Sequence, residues 1–144
     1  MRLWHKDLLP YLPRAQLISQ WRECCCIARN IAVNGSPNHI LVNRIMDYPL
    51  THFMAYTQLV IDEMNRRNYK CNPDKFTHWM AIYVDDMPCK DDIFKNWHNI
   101  RYLLQNIANI QEKKDCGGVS DSEWSIFLNG FDNVYAGVID NENN

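Results

Sequence analysis

The chain has 144 residues, 47% of them apolar, and a formal net charge of −2. This length suffices for one domain whose core forms without disulfides or a metal. No stretch approaches the roughly 18 uncharged apolar residues of a membrane span, and the N-terminus lacks the continuous apolar region of a signal peptide. We therefore expect a monomeric cytoplasmic protein that has no membrane partner and needs no cofactor.

Charge is distributed unevenly along the chain. Residues 1–45 hold six Lys/Arg and two Asp/Glu, a net of +4, whereas residues 85–144 hold five and eleven, a net of −6. An acidic total is unusual for a DNA-binding protein, which ordinarily carries a basic surface. Any polyanion is thus expected to bind the first third of the chain, although the acidic half could equally be a solvated surface without a partner.

The six cysteines do not have the spacing of a disulfide scaffold or a zinc site. Cys24, Cys25 and Cys26 are contiguous, and the other three are scattered. Adjacent cysteines bridge only with strain, and no C-x-x-C pair is present. We interpret all six as reduced thiols and predict no metal.

Prolines shape the beginning of the chain. Pro10 and Pro13 favour an extended arm with a turn or two over the first dozen residues. A first helix is predicted from Arg14 to about Asn30, since apolar residues recur there at helical spacing: Leu17, Ile18, Trp21, Cys24, Cys25 and Ala28. The polar residues off this stripe or at its edge are Arg14, Gln20, Arg22, Glu23 and Arg29.

A second helix is predicted between Asp47, a suitable cap, and Asn68, with Pro49 in its first turn. Its expected buried face is Phe53, Tyr56, Leu59, Val60 and Met64. Residues 79–84, WMAIYV, could form either a strand or a buried helical turn, because periodicity does not separate the two.

A third helix is predicted from Asp91 or Asp92, since acids favour a helix N-terminus. Its apolar face would be Phe94, Trp97, Ile100 or Arg101, Leu104, Ile107 and Ile110. Gly117 and Gly118 end it, and the capping box from Ser120 to Glu123 starts a short helix through Phe127. The sequence therefore predicts an all-α fold: a single compact domain over 1–144 with three main helices, short helices and an N-terminal arm.

Two long runs resemble a known family. LLPYLPRAQLISQWRECCCIAR (8–29) and LVNRIMDYPLTHFMAYTQLVIDEMNRRNYK (41–70) are similar to the first and central helices of the endonuclease V family of pyrimidine-dimer DNA glycosylases. The opening MRLWHKDL resembles a bacterial branch of that family, and residues 97–99 fit its third helix more weakly. The resemblance implies an all-helical DNA glycosylase domain, a nucleoid-associated location and double-stranded DNA with a damaged base as partner.

The resemblance also implies a two-step reaction, in which a damaged pyrimidine is removed and the backbone is then cut through a Schiff base. The nucleophile would be the N-terminal amine, Glu23 the acid/base residue, and Arg22 a phosphate ligand. The chemistry is reasonable, because an α-amine has an ordinary pKa of ~7.7–8.0, against ~10.4 for lysine, and is more often neutral. A nearby carboxylate can move protons and stabilise a cationic sugar.

Residue 2 departs from the family pattern of a small residue after the initiator methionine. Arg2 should prevent removal of Met1, so that the amine would belong to Met1 and lie up to ~3.3–3.6 Å further out. We predict Met1, Arg2 and Glu23 as catalytic, with Lys6 as a fallback nucleophile. The expected DNA contacts are Arg14, Arg22, Arg29 and His5, although His5 is also a plausible structural histidine. The aromatic candidates for unstacking a base are Trp4, Tyr11, Trp124 and Phe127.

Two other functions remain open at this point. One is a non-catalytic module that binds nucleic acid or protein on the same fold, which the retained Met1, Arg2 and the acidic net charge favour. The other is an enzyme acting on a modified nucleotide, which would need a small closed pocket near Glu23. Basic surroundings of Glu23 would favour DNA, whereas an acidic face there would count against it.

Overall fold

A computed structural model describes residues 1–83, 89 and 92–143 of the chain, and the structural statements below refer to these residues. The α-helices are α1 (Arg14–Asn34), α2 (Leu50–Arg66), α3 (Asp74–Met80), α4 (Ile100–Asp115) and α5 (Asp121–Asn143). Short 3-10 helices cover Lys6–Tyr11, Asn43–Asp47 and Ala81–Tyr83. No strand occurs in this part of the chain, so the all-α prediction is confirmed.

The N-terminal arm belongs to the hydrophobic core. Leu3, Trp4, Leu8 and Leu9 are buried, and both α2 and α5 pack on the 3-10 helix Lys6–Tyr11. The predicted arm with a turn or two corresponds to residues 1–5, which are not helical, and the 3-10 helix after them. Burial of four large apolar side chains favours docking of this arm on the helices. The arm therefore has a fixed position relative to the helices.

A buried ion pair holds the end of this 3-10 helix. Arg67 Nε donates to Glu63 Oε1 over 2.7 Å, and the same guanidinium donates to the carbonyl oxygens of Pro10 and Leu12 over 3.0 and 2.8 Å. Burial alone would raise the pKa of Glu63, but hydrogen bonds from Arg66 and Arg67 outweigh it and lower that pKa. Carbonyls at a helix end that lack backbone partners are thus satisfied from α2.

Helices α1 and α2 lie where the sequence predicts them, with three corrections. Gln20 is on the buried face of α1, because its amide binds the arm, and not off the apolar stripe. Leu59, at one edge of the predicted apolar face of α2, is exposed, and Ile61, at the opposite edge, is buried. Asp47 ends the 3-10 helix Asn43–Asp47 and does not cap α2, which begins at Leu50 after Pro49.

Helix α4 starts later than predicted. Phe94 and Asn96 have positive φ angles of 55° and 72°, so no helix can run through them. Asn99 caps α4 instead, its side chain accepting a hydrogen bond from the backbone N–H of Tyr102 over 3.0 Å. The shifted start changes the register, so that Leu103 is buried and Leu104, predicted in the core, is exposed. Asp91 lies outside the described residues.

The two remaining predictions concern residues 79–84 and the last helix. Trp79 and Met80 end α3 and residues 81–83 form a 3-10 turn, so the helical alternative holds there, and Val84 is outside the described residues. The capping box is confirmed, since Glu123 N donates to Ser120 Oγ over 3.2 Å and Ser120 N to Glu123 Oε1 over 3.2 Å.

Helix α5 does not end near Phe127 as predicted but continues to Asn143, because a packed apolar stripe runs on through Phe131, Val134 and Tyr135. Gly130 lets α5 approach the arm closely: a Cβ built there would lie 2.1 Å from Tyr11 Cγ. None of the helices in the described part of the chain is long and apolar enough to cross a membrane.

Candidate active site

The arm is held first by Gln20 of α1. The Gln20 amide nitrogen Nε2 donates to the carbonyl oxygen of Arg2 over 2.9 Å, and its Oε1 accepts from the backbone N–H of Trp4 over 2.7 Å. The hydroxyl of Tyr56 on α2 donates to the carbonyl oxygen of Trp4 over 2.6 Å and lies 3.0 Å from Gln20 Oε1. Two helices therefore satisfy the buried backbone of residues 2–4.

Helix α4 holds the other side of the arm. The Tyr102 hydroxyl donates to the carbonyl oxygen of Leu3, and Asn106 Oδ1 accepts from the backbone N–H of His5 over 2.7 Å. Burial raises the pKa of Tyr102 to about 12, so the hydroxyl keeps its proton and remains a donor. The position of the arm is thus fixed by side chains that arrive from α1, α2 and α4.

Two buried histidines complete the support. The backbone N–H of Lys6 donates to His98 Nδ1 over 3.0 Å, and His5 Nε2 lies 3.1 Å from the His98 carbonyl oxygen. Burial lowers the pKa of His5 to about 4 and holds the pKa of His98 well below its ordinary value. Both rings are therefore neutral at neutral pH, and His5 has no exposed surface with which to contact DNA.

Glu23 lies beside the start of the arm. Its Oε2 lies 3.4 Å from Gln20 Nε2, the same amide nitrogen that donates to the carbonyl oxygen of Arg2. Burial raises the pKa of Glu23, while the positive α-amino group of Met1, the Arg2 backbone and guanidinium, and His39 act in the lowering direction. The charges that act on Glu23 are thus positive ones.

Arg2 is oriented by α4 and by its own arm. Its guanidinium donates to Asn109 Oδ1 over 3.2 Å and stacks over the Trp4 ring at 4.9 Å from the ring centroid. Met1 is exposed at the open side of this arrangement. The N-terminal residue is thus at the surface, and the carboxylate of Glu23 is half-buried.

A basic groove, lined by α1 and by the segment joining α2 to α3, accompanies this site. One cavity of about 750 Å³ is bordered by Arg14, Arg22, Lys70 and Lys75. A second, of about 510 Å³, shares Lys75 with the first and adds Arg29. The three arginines predicted from the sequence thus border two adjoining cavities, together with two lysines that sequence reasoning missed and one acid, Asp74.

Arg22 borders this groove and is the direct neighbour of Glu23 in the sequence. Successive residues of an α-helix lie about 100° apart around its axis, so the two side chains point to different faces of α1. Glu23 itself borders neither cavity.

Other candidates named from the sequence lie elsewhere. Lys6 Nζ is paired with Asp92 Oδ1 at 2.6 Å, which ties up the fallback nucleophile. Trp4 and Phe127 are buried, and Tyr11 covers Gly130. No group of three or more His, Cys, Asp or Glu side chains within residues 1–83, 89 and 92–143 could hold a metal ion.

The residues that sequence reasoning missed are the polar groups that hold the arm. Gln20, Asn106 and His98 are buried polar side chains in otherwise apolar surroundings. A polar residue on the buried face of a helix was the available signal, because such a group must find a partner. For Asn106, that signal depended on the register of α4, which the sequence misplaces.

Comparison with known proteins identifies the family of the chain. Neither the curated proteins nor the solved structures contain a match to the chain. A family model described as Pyrimidine dimer DNA glycosylase matches residues 1–77, which include the arm, α1 and α2. The match covers more than half of the chain, and it includes Met1, Arg2 and Glu23. The chain belongs to the pyrimidine dimer DNA glycosylase family.

Proposed function

We propose that the protein excises a damaged pyrimidine from double-stranded DNA and cuts the resulting abasic site, with the α-amine of Met1 as nucleophile and Glu23 as acid/base residue. The observation that carries this proposal is the position of the Glu23 carboxylate, 3.4 Å from the Gln20 amide nitrogen that holds Arg2 at the start of the arm. Family membership supports the glycosylase activity in general. The hydrogen bonds that hold the N-terminal arm support the finer proposal about the nucleophile.

The chemistry requires a neutral amine and a carboxylate that can exchange a proton with it. The Met1 nitrogen would bond to C1′ of the damaged nucleotide while the bond from C1′ to the base breaks. Loss of a proton from that nitrogen and opening of the sugar ring would give the Schiff base. Removal of a C2′ proton then allows the 3′ phosphate to leave. Glu23, whose pKa burial raises, is the carboxylate beside the arm that would carry these protons.

The proposal takes Met1 as untrimmed. The hydrogen bonds to Arg2, Leu3 and Trp4 hold residues 2–4 in place, which supports a restricted position for the amine that precedes them. Positioning of this kind matters, because a displacement of even ~1 Å can cost on the order of 10²-fold in rate. Arg2 adds a positive charge beside the site, suited to a flanking phosphate.

The experiment is borohydride trapping on duplex DNA carrying either a thymine dimer or an abasic site, followed by mass spectrometry of the trapped peptide. We expect an adduct on the α-nitrogen of Met1. Glu23→Gln should abolish base release while leaving DNA binding intact. Glu112→Gln, an exposed acid on α4, is the matched control and should behave as the parent.

A second comparison tests the register of the amine. Arg2→Ser should permit removal of Met1 and shift the amine by one residue, whereas Arg2→Gln removes the same charge but keeps Met1. Adduct formation should fall much further in Arg2→Ser than in Arg2→Gln. Trapping on Lys6 would assign the nucleophile to the fallback residue. Tight DNA binding without adduct or base release would instead favour the non-catalytic binding module.

A further inference from the structure

Two adjacent apolar side chains project into solvent from the loop that follows α1. Ile40 is 83% exposed and Leu41 is 51% exposed, while Pro37 and Val42 on either side are buried. Single exposed apolar residues are common on protein surfaces, but adjacent ones beside a functional site indicate a contact. The partner of this pair can be inferred from its position relative to Glu23 and from the hydrogen bonds that hold its turn.

The loop is fixed to the same side of α1 as Glu23. Asn30 Nδ2 donates to the carbonyl oxygen of Pro37 over 3.0 Å. Asn30 follows Glu23 by seven residues, about two helical turns, so the two side chains lie on one face of α1. The chain therefore leaves α1, turns at Gly35 and returns along the face that carries the carboxylate. The electrostatic influence of His39 on Glu23 agrees with this placement.

The turn that carries Ile40 is closed by its own hydrogen bonds. His39 N donates to Asn43 Oδ1 over 3.0 Å, and Leu41 N lies 3.2 Å from His39 Nδ1. The His39 carbonyl oxygen accepts from the backbone N–H groups of Val42 and Asn43 over 3.0 and 2.9 Å. A turn held in this way presents its two apolar side chains outward as a rigid unit.

A glycosylase acting on duplex DNA must unstack its target base before chemistry can begin. Proteins that do so often insert Ile, Leu, Met or Phe between base steps. The aromatic candidates Trp4 and Phe127 are buried and cannot reach a base. The segment 35–46 carries Arg44 and His39 but no Asp or Glu, so a phosphate backbone can approach it without like-charge repulsion.

We infer that Ile40 and Leu41 form a wedge that enters the base stack at the lesion and opens it for the site at Glu23. This inference rests on the proposed glycosylase function and adds to it the group that separates the bases. The reaction itself needs no wedge once the target is unstacked. Its loss should therefore affect duplex substrates selectively.

The test compares the double variant Ile40→Ala, Leu41→Ala with Ile82→Ala, which removes an equally exposed side chain (83%) from the 3-10 turn after α3. Base release is measured under single-turnover conditions on a thymine dimer in duplex DNA and in a single strand. The double variant should lose at least about tenfold in rate on the duplex, and less than about threefold on the single strand. Ile82→Ala should match the parent on both.

A binding readout separates unstacking from chemistry. In the Glu23→Gln background, 2-aminopurine placed beside the dimer should brighten on binding, and the double variant should suppress that increase. Circular dichroism melting of all variants checks that the fold is retained.

Three results would overturn the wedge. If the parent releases no base from either substrate, the proposed function fails and the wedge fails with it. If the parent is active and the double variant loses equally on both substrates, or loses nothing, the wedge alone is refuted. Unchanged duplex activity combined with a changed oligomeric state would assign the pair to a contact between copies of the chain.

Discussion

The amide nitrogen of Gln20 is hydrogen-bonded to the carbonyl oxygen of Arg2 over 2.9 Å, and this bond ties the arm that carries Met1 to the helix that carries Glu23. Gln20→Leu should remove it and leave the buried backbone N–H of Trp4 without its partner. We expect a loss of about 2–4 kcal/mol in the free energy of unfolding and a larger proportional loss of base release. Urea unfolding and single-turnover assays measure the two effects.

The matched control for this prediction is Gln58→Leu. Gln58 is exposed on α2 and donates to Asp62 over 2.8 Å, so its loss should change stability by no more than about 0.5 kcal/mol. Equal destabilisation by both substitutions would show that the contacts of Gln20 with the arm do not stabilise the fold.

Glu23→Gln should make the protein more stable at neutral pH. Burial raises the pKa of Glu23 in the folded protein, so the unfolded chain loses this proton more readily, and stability falls as pH rises through the ionisation range of the carboxyl. Glutamine cannot ionise and escapes that loss. The stability difference between variant and parent should therefore grow from acid to neutral pH, which urea unfolding at a series of pH values measures. A constant difference would contradict the assigned shift.

Acid should lower the free energy of unfolding, because the buried histidine of the arm takes up a proton when the chain unfolds. The pKa of His5 is about 4 in the folded protein and about 6.5 when unfolded, so stability is complete above pH 6.5 and declines as pH falls towards 4. His5 alone should contribute a loss of about 3 kcal/mol across that range, visible in urea unfolding at pH 7 and pH 4. His5→Gln should flatten the profile, whereas His78→Gln, at an exposed position, should leave it unchanged.

Substitutions in the basic groove should weaken DNA binding in a salt-dependent way. Arg22→Ala and Lys75→Ala each remove one cation that borders the groove. Each should make the negative slope of the logarithm of the DNA association constant against the logarithm of salt concentration shallower by about 1. Fluorescence anisotropy at several salt concentrations gives the slope. Arg101→Ala, on the exposed side of α4, should not change it.

The two glycines of α5 should respond oppositely to alanine. At Gly130 the new Cβ would lie 2.1 Å from Tyr11 Cγ, so the arm or α5 must shift, at a cost of about 1–3 kcal/mol. At Gly137 nothing lies within 4 Å, and the gain in helix propensity should stabilise by up to about 1 kcal/mol. Thermal melts of the two variants distinguish the effects. Destabilisation by Gly137→Ala would point to a contact on the outer face of α5.

The sequence predicted those features that depend on local periodicity and capping. The start of α1, the extent of α2 and the capping box at Ser120 follow from the spacing of apolar residues and the chemistry of helix ends. The resemblance added Glu23, Arg22 and the N-terminal amine. All of these features can be recognised from short, continuous stretches of the sequence.

Tertiary contacts decided the rest. The start of α4 depends on positive φ angles at Phe94 and Asn96, which an apolar pattern does not reveal. The prolines of the arm predicted its turns, whereas its burial depends on partners about a hundred residues away, such as Asn106, which local sequence does not reveal. The length of α5 depends on packing against the arm, which in turn depends on Gly130.

The groups proposed to react and the groups that hold the arm lie in different parts of the chain. Residues 1–77, which match the family model, contain the amine of Met1, the Glu23 carboxylate, Gln20 and Tyr56. Tyr102 and Asn106 lie beyond that boundary. They are hydrogen-bonded to Leu3 and His5, from which they are 99 and 101 residues distant in the sequence. A fragment cut after residue 77 would keep the proposed nucleophile and the proposed acid/base residue, but it would lose the hydrogen bonds from α4 that fix the arm. The proposed reaction would then require the whole chain, because the second half of the chain holds the first in position.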